Sequence, residues 1–199
     1  MKVLALDFEG SHKNPRVGCP VQLGVAVMEG EQVMASAEWL IRPPLHWKTG
    51  KPTREVDAYA LRISGLDLER IETEGLTSGE ACRALQTWVS VEGAGSLPVL
   101  AFSMSYDIEC YEQLLFDGGW FDFDLREYIL YPAILGAKWI CARQTARRML
   151  PNMLRHSLDD VAAKFDLARI SDTHGALEDA ILAARCYHLL TESKAKVPA

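Results

Sequence analysis

The 199 residues hold 27 Asp and Glu against 21 Lys and Arg, a formal charge of −6, and are 49% hydrophobic, which is enough for one substantial core and close to the usual size of one domain. An acidic total excludes a protein that holds nucleic acid chiefly by neutralising many phosphates, since that mode needs a basic surface. A polyanionic substrate would have to be met locally, and divalent cations in a carboxylate cluster would do this by turning an acidic pocket electropositive.

The longest uncharged apolar stretches, such as Tyr128 to Ala137, end well before the roughly 18 residues that span a bilayer. The opening run Val3-Leu4-Ala5-Leu6 meets Asp7 too early to serve as a secretory signal. Cys19, Cys82, Cys110, Cys141 and Cys186 are scattered, with no Cys-x-x-Cys pair, which fits a reducing compartment and small core residues. The expectation is a cytoplasmic protein, with one domain over residues 1–190 and a polar tail over 191–199.

In chain order, Val3–Phe8, Val21–Met28 and Gln32–Ile41 are apolar runs that predict three adjacent antiparallel strands, with Glu29-Gly30-Glu31 as the hairpin turn between the last two. Arg42–Arg54 contains Pro43, Pro44, Gly50 and Pro52 and is expected to be a loop. A short helix over Glu55–Ile63 follows, closed by Gly65. Thr77-Ser78-Gly79-Glu80 has the form of a capping box, and Ala81, Leu85, Trp88 and Val89 recur behind it at helical spacing. Val99–Phe102 predicts a short strand and Ile108–Phe116 a helix ended by Gly118-Gly119, with Asp107 near the junction. From Trp120 to Leu150 the apolar residues fit neither period, and Pro132 interrupts them. Ser157 is placed to cap a helix containing Leu158, Val161, Ala162 and Phe165. His174 stands at the start of a long helix to about Leu190, with Leu177, Ala180, Ile181, Ala184 and Tyr187 as its buried stripe.

Asp7-Phe8-Glu9 puts two carboxylates on one side of a strand end, where they can share hard divalent ions. The spacing alone decides nothing, because Asp67-Leu68-Glu69 and Asp107-Ile108-Glu109 repeat it. Context separates them: Asp7 follows a buried strand, Asp67 lies in a polar connection and Glu109 falls within a helix. Four residues separate His174 from Asp179, a spacing to an aspartate that no other histidine has. About one turn of helix then separates them, so the imidazole can hang over a pocket lined by the carboxylate. The ordinary alternatives are a solvated strand end and a histidine capping its own helix.

Taken in order, LALDFEG, LAFSMSYDIE and HGALEDA resemble the three exonuclease motifs of the DEDD superfamily, in its histidine-containing (DEDDh, DnaQ-like or proofreading-subunit) branch. QLGVAV, RISGL and SLDDVAAKFDL resemble supporting segments of that family, so the likeness spans nearly the whole chain. The sequence departs from the family's pattern at Phe8, where threonine is usual, at Gly10, and at Phe102-Ser103, where His-Asn is frequent; these positions bear on substrate preference. The resemblance implies an α/β fold, a ribonuclease-H-like mixed sheet with helices on both faces. It also implies a 3′-to-5′ exonuclease with two divalent ions, Mg2+ or Mn2+, releasing nucleoside 5′-monophosphates from single-stranded DNA or RNA 3′ ends. Asp7, Glu9 and Asp179 would hold one ion, Asp7 would bridge to the second, Asp107 would complete the second site, and His174 would take a proton from the attacking water, a role that suits an imidazole at neutral pH.

Lys138, Arg143, Arg147, Arg148 and Arg155 fall in a stretch without Asp or Glu, a candidate surface for tracking a phosphate backbone that could equally be a solvated helix face. Arg143 and Arg147 are the contacts expected there. Phe8, Gly10, Phe102, Ser103 and Tyr106 are expected to line the substrate, the aromatics as stacking partners for an unpaired base, although core packing would claim at least two of them. The alternative is a nucleic-acid-binding or polymerase-associated module with little catalysis. The sequence leaves open a polymerase or a second copy of the chain as partner.

Overall fold

A computed structural model describes residues 1–122, 127–128, 134, 137–171 and 174–195. Three long strands open the chain: β1 (Lys2–Gly10), β2 (Pro20–Glu29) and β3 (Gln32–Leu40). They pair antiparallel in sequence, turning at Gly30, whose φ of 63° a side chain would strain. The short strands β4 (Val99–Ala101) and β7 (Trp139–Cys141) extend the sheet in parallel on the far side of β1, giving the order β3-β2-β1-β4-β7. Between them, β5 (Phe121–Asp122) and β6 (Glu127–Tyr128) form a separate antiparallel pair. The sheet is therefore mixed, and β1 divides its antiparallel half from its parallel half.

Alternation along β1 sends two sets of side chains to opposite faces. Leu4, Leu6 and Phe8 join Leu23 and Val25 against α3 (Ser78–Val91) and α4 (Met104–Asp117). Val3 and Ala5 join Ala26 and Met28 against α5 (Ala142–Met149), α6 (Leu158–Ala163) and α7 (Ala176–Ala195). Between β3 and α3 lie α1 (Ala58–Ile63) and α2 (Leu68–Glu74), which pack Leu61 and Ile71 into a third cluster with Cys19 and Val21.

The capping box at Thr77 forms as expected, with Glu80 returning to the Thr77 N–H at 2.8 Å. Ser157 caps α6 in the same way, through Asp160. Other expectations need correction. Asp67 is not in a plain connection: its carboxylate accepts from Arg70 N and starts α2. Helix α4 begins at Met104 rather than near Ile108, so Asp107 lies inside its first turn. Helix α7 continues to Ala195, so residues 191–195 are helical rather than tail. Its burial is also wider than one stripe: Ala183, Cys186 and Leu190 are buried alongside Ala180 and Ala184, because the helix is covered by the sheet on one side and by α5 and α6 on another. No helix of the described residues is long and apolar enough to cross a membrane.

Candidate active site

Because β1, β4 and β7 run parallel, their carboxyl ends open on the same edge, the place where α/β sheets leave a crevice for ligands. A cleft of about 500 Å³ lies there, lined from β1 by Asp7, Phe8 and Glu9, from the β4–α4 turn by Ser103 to Tyr106, from β7 and α5 by Cys141, Arg143, Gln144 and Arg147, and from the last helix region by His174 and Asp179.

Each side chain has a local reason for its place. Asp7 and Glu9 are two apart on β1 and share the face that α7 covers. Strand β4 ends at Ala101 and pairs with β1 only at Leu4 and Ala5. The Phe8 N–H further along therefore has no β4 carbonyl beside it, and donates instead to the Asp107 carboxylate, at 3.2 Å. Asp107 is buried and so continues the ladder with a side chain. Helix α7 reaches Asp7 by crossing β2 at Gly24, which pairs with Asp7. A Cβ at Gly24 would stand 2.1 Å from the Leu177 nitrogen. The first N–H groups of the helix are met from the sheet, Ala176 N by Gln22 Oε1 at 3.2 Å and Leu177 N by Glu38 Oε1 at 3.1 Å. His174 N donates to the Ile63 carbonyl at 3.0 Å, and the next residue, Ser64, donates its hydroxyl to Glu9 Oε2 at 2.6 Å.

The carboxylates crowd one another. Burial, then the charges of Asp107, Glu9 and Asp179, push the Asp7 carboxyl well above the usual carboxylate range, while Arg169 opposes them. Burial also raises Glu9, against the Ser64 hydrogen bond, and raises Asp107, against the Phe8 N–H. Acids that retain protons because their charges are buried together form a site that a cation would relieve. The donors fit a hard divalent ion, and ligand atoms of Glu9, His174 and Asp179 lie within 4.8 Å of one another.

Arg169 is the participant that sequence reasoning missed. Its guanidinium grips Asp179 with both forks, Nε to Oδ1 at 2.6 Å and Nη2 to Oδ2 at 2.9 Å. It also pairs with Asp159 and approaches His174 Nδ1 at 3.4 Å. Its side chain is only 11% exposed. Nothing in the sequence marks it, since it sits alone in the connection between two helices; the Ser64 contact is equally silent, although RISGL contains it.

The structure brings together Asp7, Glu9, Asp107, His174 and Asp179, and it places Arg143 and Arg147 on the same cleft. Phe8 packs its side chain with the α3–α4 layer and also lines the cleft, whereas Phe102 is a core residue of the α5–α7 layer. Gly10 is buried where a Cβ would meet the Tyr106 hydroxyl oxygen at 2.3 Å. Tyr106 and Ser103 line the cleft. Of the other Asp-x-Glu pairs, Asp67 caps α2, and Glu109 pairs with Arg16 at the surface.

No family model matches the chain, and no curated protein matches it in sequence. Solved structures match it in fold. The nuclease domain of 3′hExo, a DEDDh family member bound to rAMP, has a TM-score of 0.73 at 13% identity, over 99% of this chain and 94% of that one. A 3′-exonuclease described for 3′-end specific recognition of histone mRNA stem-loop gives 0.71 at 13% identity, over 96% and 82%. Exonuclease I of E. coli, in complex with a dT13 oligonucleotide, gives 0.71 at 12% identity, over 98% of this chain and 42% of that one. The chain therefore has the fold of the DEDDh 3′-exonucleases, a ribonuclease-H-like mixed sheet with helices on both faces.

Proposed function

We propose that the chain is a divalent-metal-dependent 3′-to-5′ exonuclease that hydrolyses single-stranded DNA or RNA ends to nucleoside 5′-monophosphates. One observation carries this reading: four carboxylates and a histidine from three distant segments converge at the carboxyl edge of β1 and β4, in a fold shared with 3′-exonucleases. Asp7, Glu9 and Asp179 would hold one Mg2+ or Mn2+ and Asp7 with Asp107 a second. Bound there, the ions supply positive charge to the attacking and leaving oxygens of an in-line displacement at phosphorus.

The chain's own groups do the rest. His174, half-buried at the mouth of the cleft, takes a proton from the attacking water at an imidazole nitrogen. The water oxygen bonds to phosphorus, and the P–O3′ bond breaks with its electron pair going to O3′. That oxygen takes a proton from solvent and becomes the 3′-hydroxyl of the shortened strand, and the phosphate stays on the 5′ oxygen of the released nucleoside. Ser64 and the Phe8 N–H hold the Glu9 and Asp107 carboxylates in orientation. Arg169 does the same for Asp179 and keeps a positive charge beside the cluster.

The test is trimming of 5′-labelled single-stranded DNA and of RNA with the same sequence, in Mg2+ or Mn2+. Stepwise shortening is expected, abolished in Asp7→Asn; equal rates for wild type and His174→Ala would remove the proton-transfer role of His174. The grip of Arg169 on both oxygens of Asp179 favours a second reading, a nucleic-acid-binding module in which that carboxylate is occupied by an internal cation. Calorimetric titration showing no divalent-ion binding at millimolar concentration would select it.

A further inference from the structure

The cleft lining holds two sets of side chains of opposite sign. Asp7, Glu9 and Asp179 are one, and α5 supplies the other with Arg143 and Arg147, which are one turn apart and so share a face, with Gln144 between them. Arg143 is half-buried, and its Nε is shielded from solvent yet donates to no group among the described residues. A buried guanidinium N–H with no acceptor is costly unless something arrives to accept it. The backbone of Arg143 is fixed, its N–H donating to the Phe102 carbonyl at 3.0 Å, so the side chain enters the cleft from a rigid base. Arg148 belongs to the same helix and carries the same charge, but donates to Thr145 Oγ1 at 3.4 Å and does not line the cleft.

Building on the exonuclease reading, we propose that Arg143 and Arg147 form a subsite for the phosphate immediately 5′ of the scissile one. With the acidic set committed to cations and to the phosphate being cut, the arginines of the same cleft are available to a second phosphate. Its oxygens match the fork of a guanidinium, which binds them through paired N–H groups. The subsite makes the chain selective for a nucleotide chain bearing two consecutive phosphates over one bearing a single phosphodiester. The arrangement also explains how a protein of net charge −6 can hold a polyanion without a basic surface.

Two probes differing by this one phosphate test the idea: a dinucleotide with a free 5′-hydroxyl and the same dinucleotide with a 5′-phosphate. Hydrolysis is followed in Mg2+ and affinity by calorimetry with Ca2+ in its place. Wild type is expected to favour the 5′-phosphorylated probe by roughly tenfold or more in both kcat/KM and affinity, the scale of a hydrogen bond to a charged group. Arg147→Gln, at an exposed position that does not threaten the fold, and Arg143→Gln should each bring that ratio toward one, while Arg148→Gln should leave it intact. An equal effect of all three would replace the subsite by diffuse attraction, and no preference in wild type would overturn it. Hydrolysis without an affinity difference removes the subsite and keeps the exonuclease. An affinity difference that depends on Arg143 and Arg147, without hydrolysis, keeps the subsite and removes the exonuclease.

Discussion

At the scale of single residues, the acidic cluster stores a measurable tension. In protein stripped of divalent ions, Asp7, Glu9 and Asp107 bind protons more tightly when folded than when unfolded. Between the unfolded carboxyl values, near pH 4, and the raised folded ones, the folded state carries more protons, so stability is greatest in acid and declines as pH rises through that window. The thermal midpoint in EDTA should accordingly fall as pH rises through that window, and Asp7→Asn should raise it at the upper end of the window while abolishing trimming. A lower midpoint in the variant would contradict the crowding described for Asp7. Arg169 works in the opposite sense. Arg169→Gln leaves Asp179 buried beside other acids and should cost about 3 kcal/mol in EDTA; Mn2+ should shrink that loss, because a cation returns to the carboxylate. Denaturant titrations with and without the ion measure both.

At the scale of elements, the docking of α7 on β2 is the most exacting contact. Gly24→Val would drive a branched side chain into the backbone of Ala176 and Leu177, so a loss of at least about 3 kcal/mol is expected, together with loss of trimming as His174 and Asp179 move from Asp7. Thr77→Ala provides the contrast: it breaks a cap far from the cleft and should cost about 1 kcal/mol without changing the rate of the folded enzyme. The two substitutions also mark how far the sequence could be read. The Thr77 box, the three opening strands and the reach from His174 to Asp179 are local patterns, and they are visible as spacing. Gly24 is one glycine among 14, and its role exists only because residues more than 150 positions away lie on top of it. Arg169 and Ser64 were illegible for the same reason, since their partners Asp179 and Glu9 are set by folding and not by period. The stretch after Trp120 resisted because β7 has three residues and α5 eight, too short for either period to show.

At the scale of the whole molecule, an acidic chain that binds a polyanion should depend on ions first and on the α5 arginines second. In EDTA, binding of a labelled single strand should fall below detection by fluorescence anisotropy, and Ca2+ or Mg2+ should restore it. With Arg143 and Arg147 both changed to Glu, binding in Mg2+ should weaken and lose part of its dependence on monovalent salt. Retained affinity in EDTA would mean that the cleft is not where the strand binds.

The placement of α7 also has a reading in time. Asp7 and Glu9 belong to β1, while Asp179 lies on α7 and His174 just before it, and α7 packs across β1 and β2. During synthesis, the strand pair that Gly24 belongs to must therefore wait, with Ala5, Ala26 and Met28 uncovered on that face, until α7 has emerged. Closing so long a loop is slow compared with local helix formation. The acidic cluster therefore forms only when α7 docks, and the sheet that carries Asp7 and Glu9 precedes it.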